Sequence, residues 1–239
     1  MKNIFIITFL LILITGCVKY DVRNDGVYYI KWDEARGRSE RLIKDADQKT
    51  FELLNNDDYG KDKTYVFFKG SKIDGADPKS FKHIKGGYAT DKERAYYFRD
   101  SISSASPKGF KILDGYFSRD HKNVFYCTKP LNVKSMSNFK FLTKNNLNKR
   151  WSTDGYFYWF NNYKIPSEDY ENIVLLDNDA GFSKDSKNVY YLNRNIKFND
   201  DGERILDTLD LKTFEITGFI KCRDKFGCIN IFGGRKKCK

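Results

Sequence analysis

The sequence predicts an all-β protein of tandem repeats, each a set of antiparallel hairpins carrying a one-turn helix. Three observations predict it. A turn leading into an aromatic strand recurs along the chain. A second motif, Asp or Ser followed four residues later by Phe, recurs in step with it. Tyr (16) and Phe (20) far outnumber Trp (3), and these rings suit a pleated, half-buried surface. Most copies return at about 30 residues, the range of solenoids, propellers and arrays.

The chain opens with a segment unlike the repeats. Lys2 is followed by Ile4 to Ile14, apolar except for Thr8. A basic start, a short apolar run and small residues after it make a secretory signal peptide. The run is too short to span a bilayer as a helix, which needs ~20 residues. Ile14-Thr15-Gly16-Cys17 resembles the bacterial lipobox. That resemblance implies cleavage between Gly16 and Cys17 and lipid on Cys17. Two or more acyl chains hold a protein stably at a membrane where one does not. The expected organisation is a signal peptide over 1–16, a lipidated tether over 17–24 and a repeat domain over 25–239. The expected location is the cell envelope. Val18 rather than Asp after Cys17 points to the outer membrane where the cell has one.

The first motif reads Asp62 to Phe68, Asp91 to Tyr97, Asp120 to Tyr126 and Asp185 to Tyr191, with degenerate copies from Asp25, Asp154 and Asp224. Asp at a turn start accepts N–H bonds from within the turn. Asn123, Asn188 and Gly227, three residues on, suit a left-handed position. At Asp25 and Asp154 the following Gly predicts a two-residue hairpin.

The second motif reads Asp47 to Phe51, Asp77 to Phe81, Ser106 to Phe110, Ser135 to Phe139 and Asp210 to Phe214, with a looser copy from Pro166 to Tyr170. Asp or Ser suits a helix N-cap, and Pro78 and Pro107 suit the first helical position. The ring one turn later is expected to bury, and an aliphatic often follows three residues beyond, at Ile84, Leu113 and Leu142. About six full units and a partial one at the C-terminus are expected. Asn193 to Leu209 reads as a polar insertion. The units are expected to form an elongated or curved stack. A propeller is the alternative, although its blades need about 40 residues.

Asp-x-Lys-Asn-x-Tyr-Tyr together with Ala-Asp-Pro-x-Ser-Phe resembles the bacterial DKNYY family. The nearest copies are Asp120–Tyr126, Asp185–Tyr191 and Gly75–Phe81. The resemblance runs over nearly the whole chain after Cys17. It implies an exported repeat protein and offers no active site to carry over.

With Cys17 assigned to lipid, Cys127, Cys222, Cys228 and Cys238 remain. Export favours disulfides over zinc, since no C-x-x-C pair is present. Cys222 and Cys228 flank the last hairpin turn and are expected to bridge. Cys127 and Cys238 are then the candidate second pair, and four reduced thiols are the alternative.

The formal net charge of +11 is spread along the chain and favours an anionic partner, either glycan or lipid headgroup. Nucleic acid is not expected in an envelope protein. His83 and His121 fall at ordinary repeat positions. The turn aspartates Asp62, Asp91, Asp120, Asp154 and Asp185 read as turn caps rather than calcium ligands, because Lys or Arg follows closely in most copies and opposes a cation. No cofactor or metal is expected. Trp151 and Trp159 are candidate carbohydrate platforms if exposed, and Arg235-Lys236-Lys237 reads as a frayed basic tail. The expected role is a membrane-anchored, non-enzymatic binding or structural module. The alternatives are an envelope polysaccharide hydrolase, which needs paired carboxylates in a groove, and an inhibitor or immunity-type binding protein.

Overall fold

A computed structural model of the chain describes residues 19–55, 58–142, 149–176, 180–218 and 220–238. Gly16, Cys17 and the apolar run lie outside the described residues. Among the described residues the strands form seven antiparallel sheets, and none closes into a barrel. Each sheet is a meander, so strands adjacent in space are adjacent in sequence. The chain divides into two compact units, one ending at Asp100 and the other starting at Ser101.

The first unit opens with a three-stranded sheet of Tyr20–Arg23, Gly26–Asp33 and Gly37–Leu42. Part of the stretch read as tether is therefore strand. A four-stranded sheet follows, from Glu52–Leu53 through Tyr59–Lys61 and Val66–Phe68 to Ser71–Lys72. The third runs from Lys82–Lys85 through Tyr88–Thr90 and Ala95–Tyr97 to Asp100–Ser101, at the boundary. The second unit holds four four-stranded sheets. Their central hairpins are Phe117–Arg119 with Val124–Tyr126, Trp151–Thr153 with Tyr158–Phe160, Phe182–Lys184 with Val189–Tyr191, and Lys221–Asp224 with Gly227–Asn230.

The C-terminal sheet is thus complete, and it is the first sheet that lacks a strand. The reason lies in how a sheet is assembled. Its first strand is the short return strand that follows Phe of the second motif, as Glu52–Leu53 follows Phe51. No second motif stands before Tyr20 in the sequence, and among the described residues the first sheet opens directly with its incoming strand.

Equivalent positions share environments. The incoming strand begins with a buried ring at Tyr59, Tyr88, Phe117, Trp151 and Phe182. The next residue is small and buried: Gly60, Ala89, Ser118, Ser152, Ser183 and, in the last sheet, Cys222. Successive strand residues face opposite sides, so each of these sheets is covered on both faces. At Gly60 the cover is Phe51, whose Cζ would lie 2.3 Å from an added Cβ. The outgoing strand buries its central residue: Phe67, Tyr96, Phe125, Trp159, Tyr190 and Ile229. Burying such a side chain stabilises by roughly 1.5–3 kcal/mol.

Several local expectations change. The expected one-turn helices are single turns closed by bonds such as Ser80 N–H to Asp77 O and Thr50 N–H to Asp47 O. Among the described residues only Tyr170–Asn172 is a 3-10 helix. Helix nucleation fixes many dihedrals for one bond, and here the chain enters a strand directly after the turn. Phe81 and Phe214 are buried, while Phe110 and Phe139 are half-buried. Ile84 is exposed, and Leu113 and Leu142 are half-buried. The aliphatic that buries is instead the residue after each edge strand: Ile43, Ile73, Ile102, Leu131, Ile165 and Ile196. The Asp154 turn spans four residues like its siblings, since Thr153 pairs with Tyr158. Within Asn193 to Leu209, Arg194–Asn195 is the edge strand of its sheet, and Ile196 and Leu206 are core.

Of the three positions expected to be left-handed, Gly227 has positive φ, at 131°. Neither Asn123 nor Asn188 has positive φ, whereas Lys69, Phe98, Cys127, Asn161 and Leu192 all do, between 49° and 56°. Each is the first residue after an outgoing strand, at the start of the turn into the edge strand. This conformation costs an L-residue roughly 1–2 kcal/mol.

Candidate functional site

The most repeated polar feature is a carboxylate that joins the two motifs. Asp120 Oδ1 accepts the N–H of Lys122 and Asn123 inside its turn, while Oδ2 accepts the N–H of Ser106 at 2.8 Å. Asp62 joins its turn to Asp47 N–H, Asp91 joins its turn to Asp77 N–H, and Asp154 reaches Lys134 and Ser135. Asp185 takes the hydroxyls of Ser167 and Tyr190 instead, each at 2.6 Å. All of these aspartates are buried. Burial opposes the charge, but the bonds outweigh it and hold the carboxyls of Asp91, Asp120 and Asp185 below the usual range.

The lysine after the turn Asp closes the same joint from outside. Lys63 pairs with Asp47, Lys92 with Asp77 and Lys225 with Asp210. Its backbone N–H donates to Thr50, Ser80 or Thr213, the fourth residue of the second motif. In the fourth sheet Ser106 and Gly109 replace the Asp and the hydroxyl, and the exposed His121 replaces Lys. The recurring Asp and Lys therefore belong to the scaffold.

His83 is half-buried, with Nε2 2.8 Å from Gly86 O and its ring 5.2 Å from that of Tyr59. Trp151 and Trp159 are buried in the core, so neither is a platform for carbohydrate. Arg235 is strand, not frayed tail. Its Nη1 and Nη2 reach both oxygens of Asp224, and Nη2 also donates to Thr208 O at 2.8 Å.

The cysteines pair differently from expectation: Cys228 bonds to Cys238, with Cα atoms 5.0 Å apart. Cys222 lies opposite Ile229, and Cys228 lies opposite Arg223. One residue out of step puts the two thiols on opposite faces. Cys222 is buried in the small-residue column, and burial pushes its thiol up to about 12. Cys228 lies opposite Lys236, and Cys238 is two residues further along the same face. With Cys238 taken, Cys127 has no bridge to it.

One pair of facing positions varies from sheet to sheet. In five of the six four-stranded sheets the residue before the incoming strand faces the first residue after the outgoing one. The pairs are Asp58 with Lys69, Gly87 with Phe98, Tyr116 with Cys127, Arg150 with Asn161 and Gly181 with Leu192. Where glycine stands, the partner folds over it and plugs the gap to the preceding sheet. Phe98 packs on Phe68 at 5.4 Å, and an added Cβ at Gly181 would meet both Leu192 and Phe160. The other three pairs have no glycine, and one of them lies between the fourth and fifth sheets. Asn161 takes that position and Arg150 faces it, leaving a cavity of about 410 Å³ floored by Phe117 and Tyr126. Tyr116 stands at its rim, 58% exposed, with its ring stacked on Tyr126 at 5.9 Å. Lys149 and Asp114, 3.4 Å apart, complete the wall. Position-by-position comparison of the copies contains this signal, but only once the facing pairs are known.

The DKNYY family model matches the chain over residues 20–158 and again over 72–228. No curated protein and no solved structure matches it.

Proposed function

Since the chain belongs to the DKNYY family, we propose that it is a lipid-anchored bacterial envelope protein working as a non-enzymatic repeat module that binds a partner. The observation that carries this reading is the run from Lys2 to Cys17, an apolar stretch ending in Ile14-Thr15-Gly16-Cys17. The first strand starts at Tyr20, so a lipid on Cys17 would hold the sheets close to the membrane surface. The Cys228–Cys238 bond supports an exported location, because such cross-links persist in oxidising compartments. The recurring carboxylates bind backbone N–H groups and hydroxyls, which is a structural task rather than acid–base chemistry.

Metabolic labelling with a fatty acid tests the anchor. The wild-type chain should carry label and fractionate with membranes, with the outer membrane where one exists. Cys17→Ala should be unlabelled and keep its leader. Label on the Ala variant, or an unlabelled wild type, would refute the anchor.

A further inference from the structure

We propose that the β-ribbon carrying Trp32 is a second membrane contact, its indole seated where headgroups meet acyl chains in the bilayer that holds the lipid on Cys17. The inference rests on the reading of the chain as lipid-anchored and names the part of the fold that touches the membrane.

The first sheet departs from the other six in length. Its outgoing strand, Gly26–Asp33, has eight residues, where the six counterparts have three or four. Tyr20–Arg23 pairs with it from Gly26 to Tyr29. Among the described residues, Lys31 to Asp33 run on with only Ser39 to Gly37 beside them. At about 3.3 Å per residue, this ribbon projects about 10 Å beyond Ile30.

The extension carries an exposed indole. Trp32 is 64% exposed, whereas Trp151 and Trp159 are 0% and 1% exposed. Single exposed aliphatic side chains are ordinary on a protein surface. An indole differs, because its broad apolar body and one N–H suit the boundary between acyl chains and headgroups.

Chain reach selects the membrane as the occupant. Ile30 N–H donates to Lys19 O at 2.7 Å, so Lys19 lies at the base of the ribbon. Cys17 stands two residues before Lys19 and is thus at most about 7 Å from it. A lipid on Cys17 brings the bilayer to the end of the sheet from which the ribbon projects, and the two reaches are similar. Charge plays the smaller part. Along the ribbon Lys31, Arg36 and Arg38 are balanced by Asp33, Glu34 and Glu40, and Arg38 pairs with Glu40 at 2.8 Å. Anionic headgroups therefore attract the ribbon little, and the indole carries the contact.

The test reconstitutes the lipidated full chain into vesicles of phosphatidylethanolamine and phosphatidylglycerol, with or without bromine on the upper acyl carbons. Flotation is scored alongside tryptophan emission. Bromine quenches an indole only near contact, and the Trp32 signal is wild-type emission minus that of Trp32→Phe. The buried Trp151 and Trp159 supply the remainder. In brominated vesicles the Trp32 signal should fall about twofold or more, and Trp32→Phe should show no comparable drop. Floating protein whose Trp32 signal ignores bromine would overturn the contact. Trp32 would then be open to aqueous iodide, as on a free or glycan-binding surface, or shielded from it, as against a second copy. Protein that does not float refutes the anchor, and the inference falls with it, so the two failures are read separately.

Discussion

Arg235 grips both oxygens of Asp224, whose side chain is 0% exposed, while its own side chain is 24% exposed. Asp224 receives only one N–H from its turn, that of Phe226, besides the N–H of Asp210. The turn here has two residues, Lys225 and Phe226, so the guanidinium supplies what a second turn N–H supplies in the other sheets.

Arg235→Ala should therefore unfold the last sheet more easily. Breaking a buried pair costs roughly 3–5 kcal/mol. Two backbone bonds remain and Arg235 is partly solvated, so we expect about 2–3 kcal/mol, read as a lower urea midpoint. Arg235→Lys should recover only part, lacking the fork.

The turn carboxylates set the acid limit of the fold. Asp91, Asp120, Asp185 and Asp224 all have folded pKa values below the ordinary one, because their bonds outweigh burial. Their stabilisation is fully present above the unfolded pKa of about 3.9 and is lost as pH falls through the lower folded values. Stability should hold near neutrality and decline below about pH 4. Asp120→Asn turns an amide N–H₂ or a lone carbonyl toward donors that want a carboxylate. It should cost about 1–3 kcal/mol at neutral pH and flatten the acid decline, as measured by urea unfolding across pH.

The hydroxyls of Ser118, Ser152 and Ser183 are buried without a hydrogen-bond partner. Ala89 already fills the same position in the third sheet. Changing all three serines to Ala should leave the thermal midpoint unchanged or raise it, since an unpartnered buried hydroxyl costs free energy. Ser152→Val should cost about 1–3 kcal/mol of stability through overpacking, read as a lower thermal midpoint.

Mass spectrometry without reduction should find Cys228 linked to Cys238 and Cys222 as a thiol. The Cys222 thiol, buried and held protonated by a pKa of about 12, should resist alkylation until the protein is denatured. Reducing the short loop should cost about 2.5 kcal/mol. A Cys222–Cys228 link in the native protein would contradict this pairing.

Much of the fold is legible because each copy repeats the same chemistry. Asp120 as a turn cap and Phe81 as a buried ring follow from spacing alone. Register does not follow so directly. Cys222 would face Cys228 only across a loop of five residues; the register observed sets Arg223 opposite Cys228, and that one residue reverses the face. The covered residue after each edge strand, Ile73 or Leu131, escapes notice because edge strands of two residues show no alternation. The groove was hidden for a similar reason. Arg150 and Asn161 become partners only when the strands pair, so nothing marks them as two walls of one cavity until that pairing is known.

Each turn carboxylate reaches back only to the start of its own second motif, as Asp120 does to Ser106 and Asp91 to Asp77. A segment cut in the linkers Ile73–Ala76 and Ile102–Ala105 would thus carry return strand, hairpin, edge strand and joint together. A gene could gain or lose such a segment by recombination without orphaning a strand. A cut inside the Asp-x-Lys-Asn turn, the part most easily recognised, would split a sheet between two parents. Copy number in such proteins is therefore free to drift in whole sheets, with breakpoints expected in the plain Ile-x-x-Ala stretches rather than in the conspicuous motif.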